Sequence, residues 1–299
     1  MYRVSNYSIR DIEQLSGIKA HTIRIWEQRY NFIEPKRTET NIRFYNDEDL
    51  KLILNISLLK ENGFKISRIS KMASEDLKEE VQRITDRKIG QSEQIQALTI
   101  AMLELDENRF EKIITTNILQ IGFERTVLLI IVPFFKKVGI LWQTGAITPA
   151  HEHFISNLTR QKIIVAIDGQ VIDRITDKKF LLFLPEGELH EISLLISSYL
   201  IKTKNHKVIY LGQNLPFKDL KEVYQIHQPQ YLLSVFTSYP YTNDVQSYIN
   251  KLSESFPKST IFLTGLQLIG NDFQLPKNIR LLNKLEDLIT FLDDIDSLV

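Results

Sequence analysis

The chain has 299 residues, with 37 Lys and Arg against 37 Asp and Glu. No global field therefore draws it to nucleic acid or to a membrane, and any DNA contact must come from a local patch. It has no cysteine, which removes disulfides, zinc–thiolate sites and thiol catalysis and fits a cytoplasmic protein.

The length predicts two or three domains. The opening MYRVSNYSIR lacks the apolar core of a signal peptide. The most apolar run, Val127–Phe135, contains Pro133 and falls far short of the ~20 residues that span a bilayer. No membrane partner is expected.

Ser8 is placed to cap a short helix from Ile9 to about Leu15, with Ile9, Ile12 and Leu15 on one face. Gly17 supplies a turn, and a second helix is predicted over Ala20–Tyr30. Two short helices about a glycine turn form a helix-turn-helix. The stretch Pro35–Tyr45 then reads as two extended arms about a polar tip, a β-ribbon wing. Asn46 or Asp47 starts a longer helix that runs to about Glu61 and ends before Gly63.

HTIRIWEQRY (His21–Tyr30), the wing with Arg43-Phe44-Tyr45, and LLKENGF (Leu58–Phe64) together resemble the winged DNA-binding domain of MerR-type transcription regulators over about Tyr7–Ile69. Residues 1–45 hold eight Lys or Arg against five Asp or Glu, so local charge agrees with that resemblance. It implies a double-stranded DNA operator as partner. Base reading falls to the start of the second helix, around Lys19, His21 and Thr22. Phosphate contacts fall to Arg24, Arg29, Arg37 and Arg43, with Tyr45 beside them. Trp26 either touches the DNA backbone or packs in the small core.

Ser74–Gly90 is charge-rich and predicted as a linker, so the winged domain is set at 1–75 and the linker at 76–90. No sustained heptad helix follows it. Four apolar-periodic stretches come next: Ser92–Leu105, Glu107–Ile121, Glu124–Gln143 and Pro149–Asp168. Their short connections predict an antiparallel four-helix bundle over 91–170. Thr148-Pro149 is a good helix start.

Trp142, Glu152 and His153 are expected at one end of that bundle. The spacing Trp-x9-Glu-His is similar to the signature of the cobalamin-binding helical bundle in CarH/LitR-like photoreceptor regulators. The resemblance implies that Trp142 covers the upper face of a corrin, with Glu152 and His153 near the upper ligand. In light-sensing members a histidine follows the tryptophan; here that residue is Gln143, a neutral amide and a poor cobalt ligand.

Over 178–299, apolar strands alternate with helices: Phe180–Leu184, Lys207–Leu211, Tyr231–Phe236, Thr260–Thr264 and a weaker Ile279–Leu282. The helices between them lie at Ile192–Thr203, Lys218–His227 and Asn243–Ser255, with a last one at Leu285–Leu298. Such alternation predicts a flavodoxin-like, Rossmann-like parallel sheet of order 2-1-3-4-5, with a crevice beside its first strand. The whole is thus a multidomain α and α/β protein.

The first strand runs into Glu188-x-His190-x-x-Ser193, which resembles the cobalamin-binding signature Asp-x-His-x-x-Gly. The resemblance implies that His190 is the lower axial ligand of cobalt, and that Ser193, Ser234, Thr237 and Gly265 line the channel of the cofactor tail. Phe236 and Leu266 depart from the leucine and second glycine of the pattern. His206 and His227 lie outside any motif and read as surface residues.

The expected function is a DNA-binding transcriptional regulator, a homo-oligomer (dimer or tetramer), that senses cobalamin, adenosylcobalamin in preference to methylcobalamin and as a candidate light-responsive chromophore, and changes oligomeric state and operator affinity. Two alternatives compete. One is a regulator whose cobalamin fold is an emptied dimerisation or other-ligand module. The other is a corrinoid methyl-transfer protein, which would have no use for the helix-turn-helix. No acid/base pair marks an enzyme.

Overall fold

The structure, a computed structural model, describes residues 7–30, 33–38, 41–61, 63–85, 91–170, 178–240, 244–268 and 271–297. The chain divides into two compact units, Met1–Leu158 and Thr159–Val299. Among the described residues no helix is long and apolar enough to cross a membrane.

In the first unit, helix α1 (Ile9–Ser16) starts at Ser8 in a capping box. The Ser8 hydroxyl accepts the Asp11 N–H, and the Asp11 carboxylate accepts the Ser8 N–H at 2.7 Å. Gly17, at φ +72°, closes the helix in the left-handed region. Glu13 caps the next helix, α2 (Ala20–Tyr30), from outside by accepting the Ala20 N–H at 3.0 Å. That bond, and then the ion pair with Lys19, hold the Glu13 carboxyl below its ordinary range.

The wing is a two-stranded antiparallel ribbon, β1 (Lys36–Arg37) and β2 (Arg43–Phe44), in register Lys36 to Phe44 and Arg37 to Arg43. Its tip residues 39 and 40 lie outside the described residues. Helix α3 (Asp47–Glu61) begins at Asn46, which trades hydrogen bonds with Asp49 in a second capping box. Ile53, Leu54, Ile56, Leu58 and Leu59 on α3 are fully buried, and α3 packs against α1, the short α4 (Ile66–Ile69) and α5 (Ser74–Thr85).

The predicted linker is therefore corrected over its first part. The stretch from Ser74 is a helix with Leu77 and Val81 buried, because those two apolar residues, four apart, give an otherwise charged helix a seam to bury. Residues 86–90 lie outside the described residues.

Helix α6 (Gln91–Glu104) lies one residue earlier than predicted at each end, and α7 (Glu107–Ile121) has the predicted bounds, with Asp106 capping α7 through the Arg109 N–H. The third predicted helix is not regular. It comprises α8 (Phe123–Thr126), one π turn (Val127–Ile131) and α9 (Val132–Gln143). Pro133 explains the break. It has no N–H to give to the carbonyl four residues back, and its ring crowds that carbonyl, so the ladder shifts register. Helix α10 (Pro149–Asp168) starts at the predicted proline, and the boundary between the two units falls within it.

The second unit is a five-stranded parallel sheet in the order β4-β3-β5-β6-β7: β3 (Lys179–Pro185), β4 (Lys207–Leu215), β5 (Tyr231–Val235), β6 (Thr260–Thr264) and β7 (Ile279–Leu281). This is the predicted 2-1-3-4-5 arrangement. Strands β3 and β5 are buried almost end to end, as central parallel strands covered on both faces must be. Helices α11 (Ile192–Thr203), α12 (Phe217–His227), α13 (Val245–Ser255) and α14 (Leu285–Ser297) make the crossovers and the end. Of the predicted Asn243 start to α13, residue 243 lies outside the described residues, as does residue 298 at the end of the predicted last helix.

Two expectations here are corrected. Strand β4 runs to Leu215 instead of Leu211, and its pairing with β3 breaks register on both sides of Phe183. His206 is not a surface residue: it is buried against the Phe180 ring, with centroids 5.4 Å apart. His227 is exposed, as predicted.

Candidate functional site

On the winged surface, Lys19, His21, Arg24, Arg29 and Arg37 are exposed and Thr22 is half-buried. Lys19 pairs with Glu13 at 3.0 Å, the His21 ring lies 3.3 Å from the Thr22 hydroxyl, and Arg37 donates to the Asn41 side chain at 2.8 Å. Two candidates turn inward. Trp26 is 4% exposed and carries the Lys60 ammonium 4.9 Å above its ring. Tyr45 is fully buried and donates its hydroxyl to buried Glu27.

The half-buried Arg43 approaches Glu27 at 3.8 Å. Burial first, then the Glu27 carboxylate, pushes the Tyr45 hydroxyl up, so it stays a donor. Tyr45 and Trp26 are thus buried side chains, Tyr45 bonded to Glu27 on α2 and Trp26 beneath Lys60 of α3. Tyr45→Phe is expected to lower the stability of the winged region by about 1–3 kcal/mol, since buried Glu27 loses a donor. Urea unfolding of the full chain, followed by fluorescence, checks this.

In the helical region Trp142 is 49% exposed at the C-terminal end of α9, unusual for an indole with a fold to pack into. Glu152 accepts the Ser156 hydroxyl at 2.5 Å and lies 3.7 Å from the exposed His153 ring. The neighbouring His151 fastens the start of α10, where its Nδ1 accepts the Thr148 N–H at 3.2 Å.

The most organised site lies at the carboxyl edge of the parallel sheet. β3 ends at Pro185 and a loop carries Glu188 and His190 to the start of α11. The Glu188 carboxylate is fully buried. Its Oε1 accepts the N–H groups of Leu189 and His190, both at 2.9 Å, and the His190 ring Nδ1 at 2.6 Å. Its Oε2 accepts the N–H groups of Thr237, Ser238 and Tyr239 at 2.9, 2.6 and 3.0 Å, from the segment that follows β5.

Burial alone would raise this carboxyl. The bonds from the His190 ring and backbone, and from Ser238 and Tyr239, override it and pull the value from the usual 4.5 to about 2. An ionised carboxylate only accepts, so His190 must carry its proton on Nδ1. In the neutral ring this places the lone pair on Nε2, the form that ligates a metal. The His190 side chain is 54% exposed.

Because its folded value is depressed, Glu188 stabilises the fold fully above pH 4.5, and the contribution is lost as the pH falls through about 2. Glu188→Gln is therefore expected to flatten the fall of the thermal midpoint between pH 4.5 and 2, which a melting series in acid measures.

Thr237 thus joins Glu188 and His190. Ser193 is exposed on the first turn of α11. Ser234 is fully buried on β5, and among the described residues its hydroxyl has no hydrogen-bond partner. A buried donor left over beside the sheet edge suits a ligand nitrogen or oxygen. Gly265 sits at φ +120° with the Phe236 backbone against it. Leu266, where the resemblance has a second glycine, is 57% exposed and so does not fill the sheet interior.

Several partners escaped sequence reasoning. Ser238 places its hydroxyl 3.2 Å from His190 Nδ1 and 3.3 Å from Glu188. Asn214 accepts the Gly187 N–H at 2.8 Å through Oδ1 and donates its own N–H to the Glu188 carbonyl at 3.1 Å. Gln213 donates its amide to the Leu189 carbonyl at 2.6 Å. Buried Glu191 accepts both Arg160 Nε and, at 2.9 Å, the Tyr210 hydroxyl. The available signals were the hydroxyl-rich Thr237-Ser238-Tyr239-Pro240 after β5 and the Gly212-Gln213-Asn214 end of β4.

Residues 7–76 match the MerR HTH family of regulatory proteins, and residues 94–166 match a B12 binding domain. The chain is similar to the HTH-type transcriptional repressor CarH of Myxococcus xanthus, at 24% identity over 259 residues, 84% of this chain and 86% of that protein. It is also similar to the repressor CarA of the same organism, at 28% identity over 222 residues, 70% and 68% of the two chains. Among solved structures it shares its fold with the monomethylamine corrinoid protein of Methanosarcina barkeri. That likeness has a TM-score of 0.53 at 12% identity and covers 69% of this chain and 100% of the other.

Proposed function

Because the chain is a MerR-type helix-turn-helix regulator joined to a B12-binding domain, we propose that it senses cobalamin, adenosylcobalamin in preference to methylcobalamin, and that cofactor state sets its oligomeric state and its hold on an operator. The observation that carries this reading is the Glu188–His190 pair. A buried, ionised carboxylate holds the ring at Nδ1, and we assign Nε2 to the metal.

The residues fit a corrinoid. Within the second unit, His190 Nε2 would hold the metal, and the buried Ser234 hydroxyl and the Thr237 segment would receive the tail. Within the first unit, exposed Trp142, with Glu152 and His153, would be the corrinoid-contacting residues. Bound, the cofactor supplies a cobalt–carbon bond that light or ligand exchange can break. The chain's part is linkage. Residues that grip the cofactor in one arrangement favour one assembly, and joined winged domains gain DNA affinity through effective concentration. Arg24, Arg29 and Arg37 grip phosphates, while Lys19, His21 and Thr22 face the bases.

The repressor names of the relatives, with the helix-turn-helix, support a regulator over a methyl-transfer protein. The chain is mixed in the dark with adenosylcobalamin and run on size exclusion, then run again after green illumination. Co-elution of the corrinoid with a change in elution volume on illumination is the expected result. Absence of corrinoid from the protein peak would leave the emptied-module alternative. On the DNA side, Arg24→Ala is expected to weaken binding to any duplex and to reduce the salt slope by about 1, which fluorescence anisotropy across a salt series reads.

A further inference from the structure

We propose that Asn214 is a positioning residue for His190: it sets the backbone of the ligand loop from the neighbouring strand. The inference rests on the reading of His190 as a cobalt ligand. It starts from the irregular end of β4. Pairing runs Leu182 to Tyr210, Phe183 to Gly212 and Pro185 to Leu215, so β4 uses two more residues than β3 over this span. Gly212 at φ +76° and Asn214 at φ +53° take the left-handed conformations that these bulges need. Asparagine tolerates that region better than most side chains.

The bulges carry Gln213 and Asn214 onto the loop between β3 and α11. Asn214 holds two consecutive peptide units there. Its side chain accepts the Gly187 N–H, and its own N–H reaches the Glu188 carbonyl. Gln213 holds the next carbonyl, that of Leu189. On the other side the loop is bounded by Tyr239, whose ring would lie 3.2 Å from a Cβ at Gly187. Glu188 can meet the five N–H donors around it only if its own backbone is fixed. The His190 ring in turn takes its direction from Glu188. Asn214 therefore acts on the imidazole through the backbone, without touching it.

The test uses the full chain loaded with cobalamin. Asn214→Gly keeps the left-handed backbone and removes only the acceptor; Asn214→Asp keeps both. The readouts are the absorption spectrum, which separates imidazole-bound from water-bound cobalt, and the rate of corrinoid release into excess competitor. The expected result is a partly water-bound spectrum and release about 10–100-fold faster for the glycine variant, with the aspartate variant restored to the parent. A merely structural role would lower the melting temperature of the glycine variant and leave the spectrum alone. A glycine variant with the parent's spectrum and release rate overturns the role of Asn214 while the cobalt reading stands. A parent chain that retains no corrinoid overturns both.

Discussion

His190→Ala is expected to weaken cobalamin retention by about 100-fold or more and to remove the imidazole signature from the spectrum, while DNA binding by the winged region persists. The size follows from the order of effects around a metal. Losing a partner of a ligand costs about 10–100-fold, and losing the ligand itself costs at least that. The change also leaves the Glu188 carboxylate without its ring donor, Nδ1 at 2.6 Å. The five backbone N–H groups remain, so the loop is expected to fold and the loss to be local. Equilibrium dialysis with cobalamin, alongside anisotropy with duplex DNA, separates the two outcomes. Equal loss of both activities would mean that His190 acts on the fold.

Gly265→Ala is expected to have the largest effect on stability, above about 3 kcal/mol. A Cβ at this position would stand 2.3 Å from the Phe236 carbonyl oxygen and 2.7 Å from its nitrogen, and the backbone sits at φ +120°. Neither obstacle is a flexible side chain that can swing away. Phe236 is itself held, donating its N–H to the Thr264 carbonyl at 2.7 Å and accepting from Gln267 at 3.0 Å. Gly265 therefore locks the ends of β5 and β6 together, immediately before the segment that supplies Thr237, Ser238 and Tyr239 to Glu188. Leu266→Ala, at an exposed site, is the control and is expected to change stability by less than about 1 kcal/mol. Denaturant titration of the full chain under far-UV circular dichroism compares them. A tolerated alanine at 265 would show that the two strand ends are not fixed as described.

What was legible in the sequence, and what was not, has a physical basis. Glu188 and His190 share one loop, so their relation is written in nearly consecutive residues. The parallel sheet and its order followed from strands and helices that alternate with short turns. Ser238 and Asn214 reach the same carboxylate loop from segments about fifty and twenty-five residues downstream of Glu188. Only the strand order brings them there, and no local period marks it. The bulges of β4 are similarly silent, since Gly212 and Asn214 read as an ordinary turn.

Trp26 and Tyr45 illustrate a different limit. An aromatic with a polar atom suits both a DNA surface and a small core. Tyr45 is buried where Glu27, eighteen residues away, offers a buried acceptor. The Ser74 segment failed for the converse reason: its charges masked Leu77 and Val81, which suffice to seat a helix on α3.

If Nε2 of His190 binds cobalt while Nδ1 is held by Glu188, electron paramagnetic resonance of the chain loaded with cob(II)alamin reads it directly, because each cobalt line is split by the nucleus of an axial nitrogen. Chain labelled with 15N at histidine only is expected to change each threefold splitting to a twofold one, and His190→Ala is expected to abolish the change. Splitting that ignores the label, or no splitting at all, would contradict cobalt ligation by this imidazole.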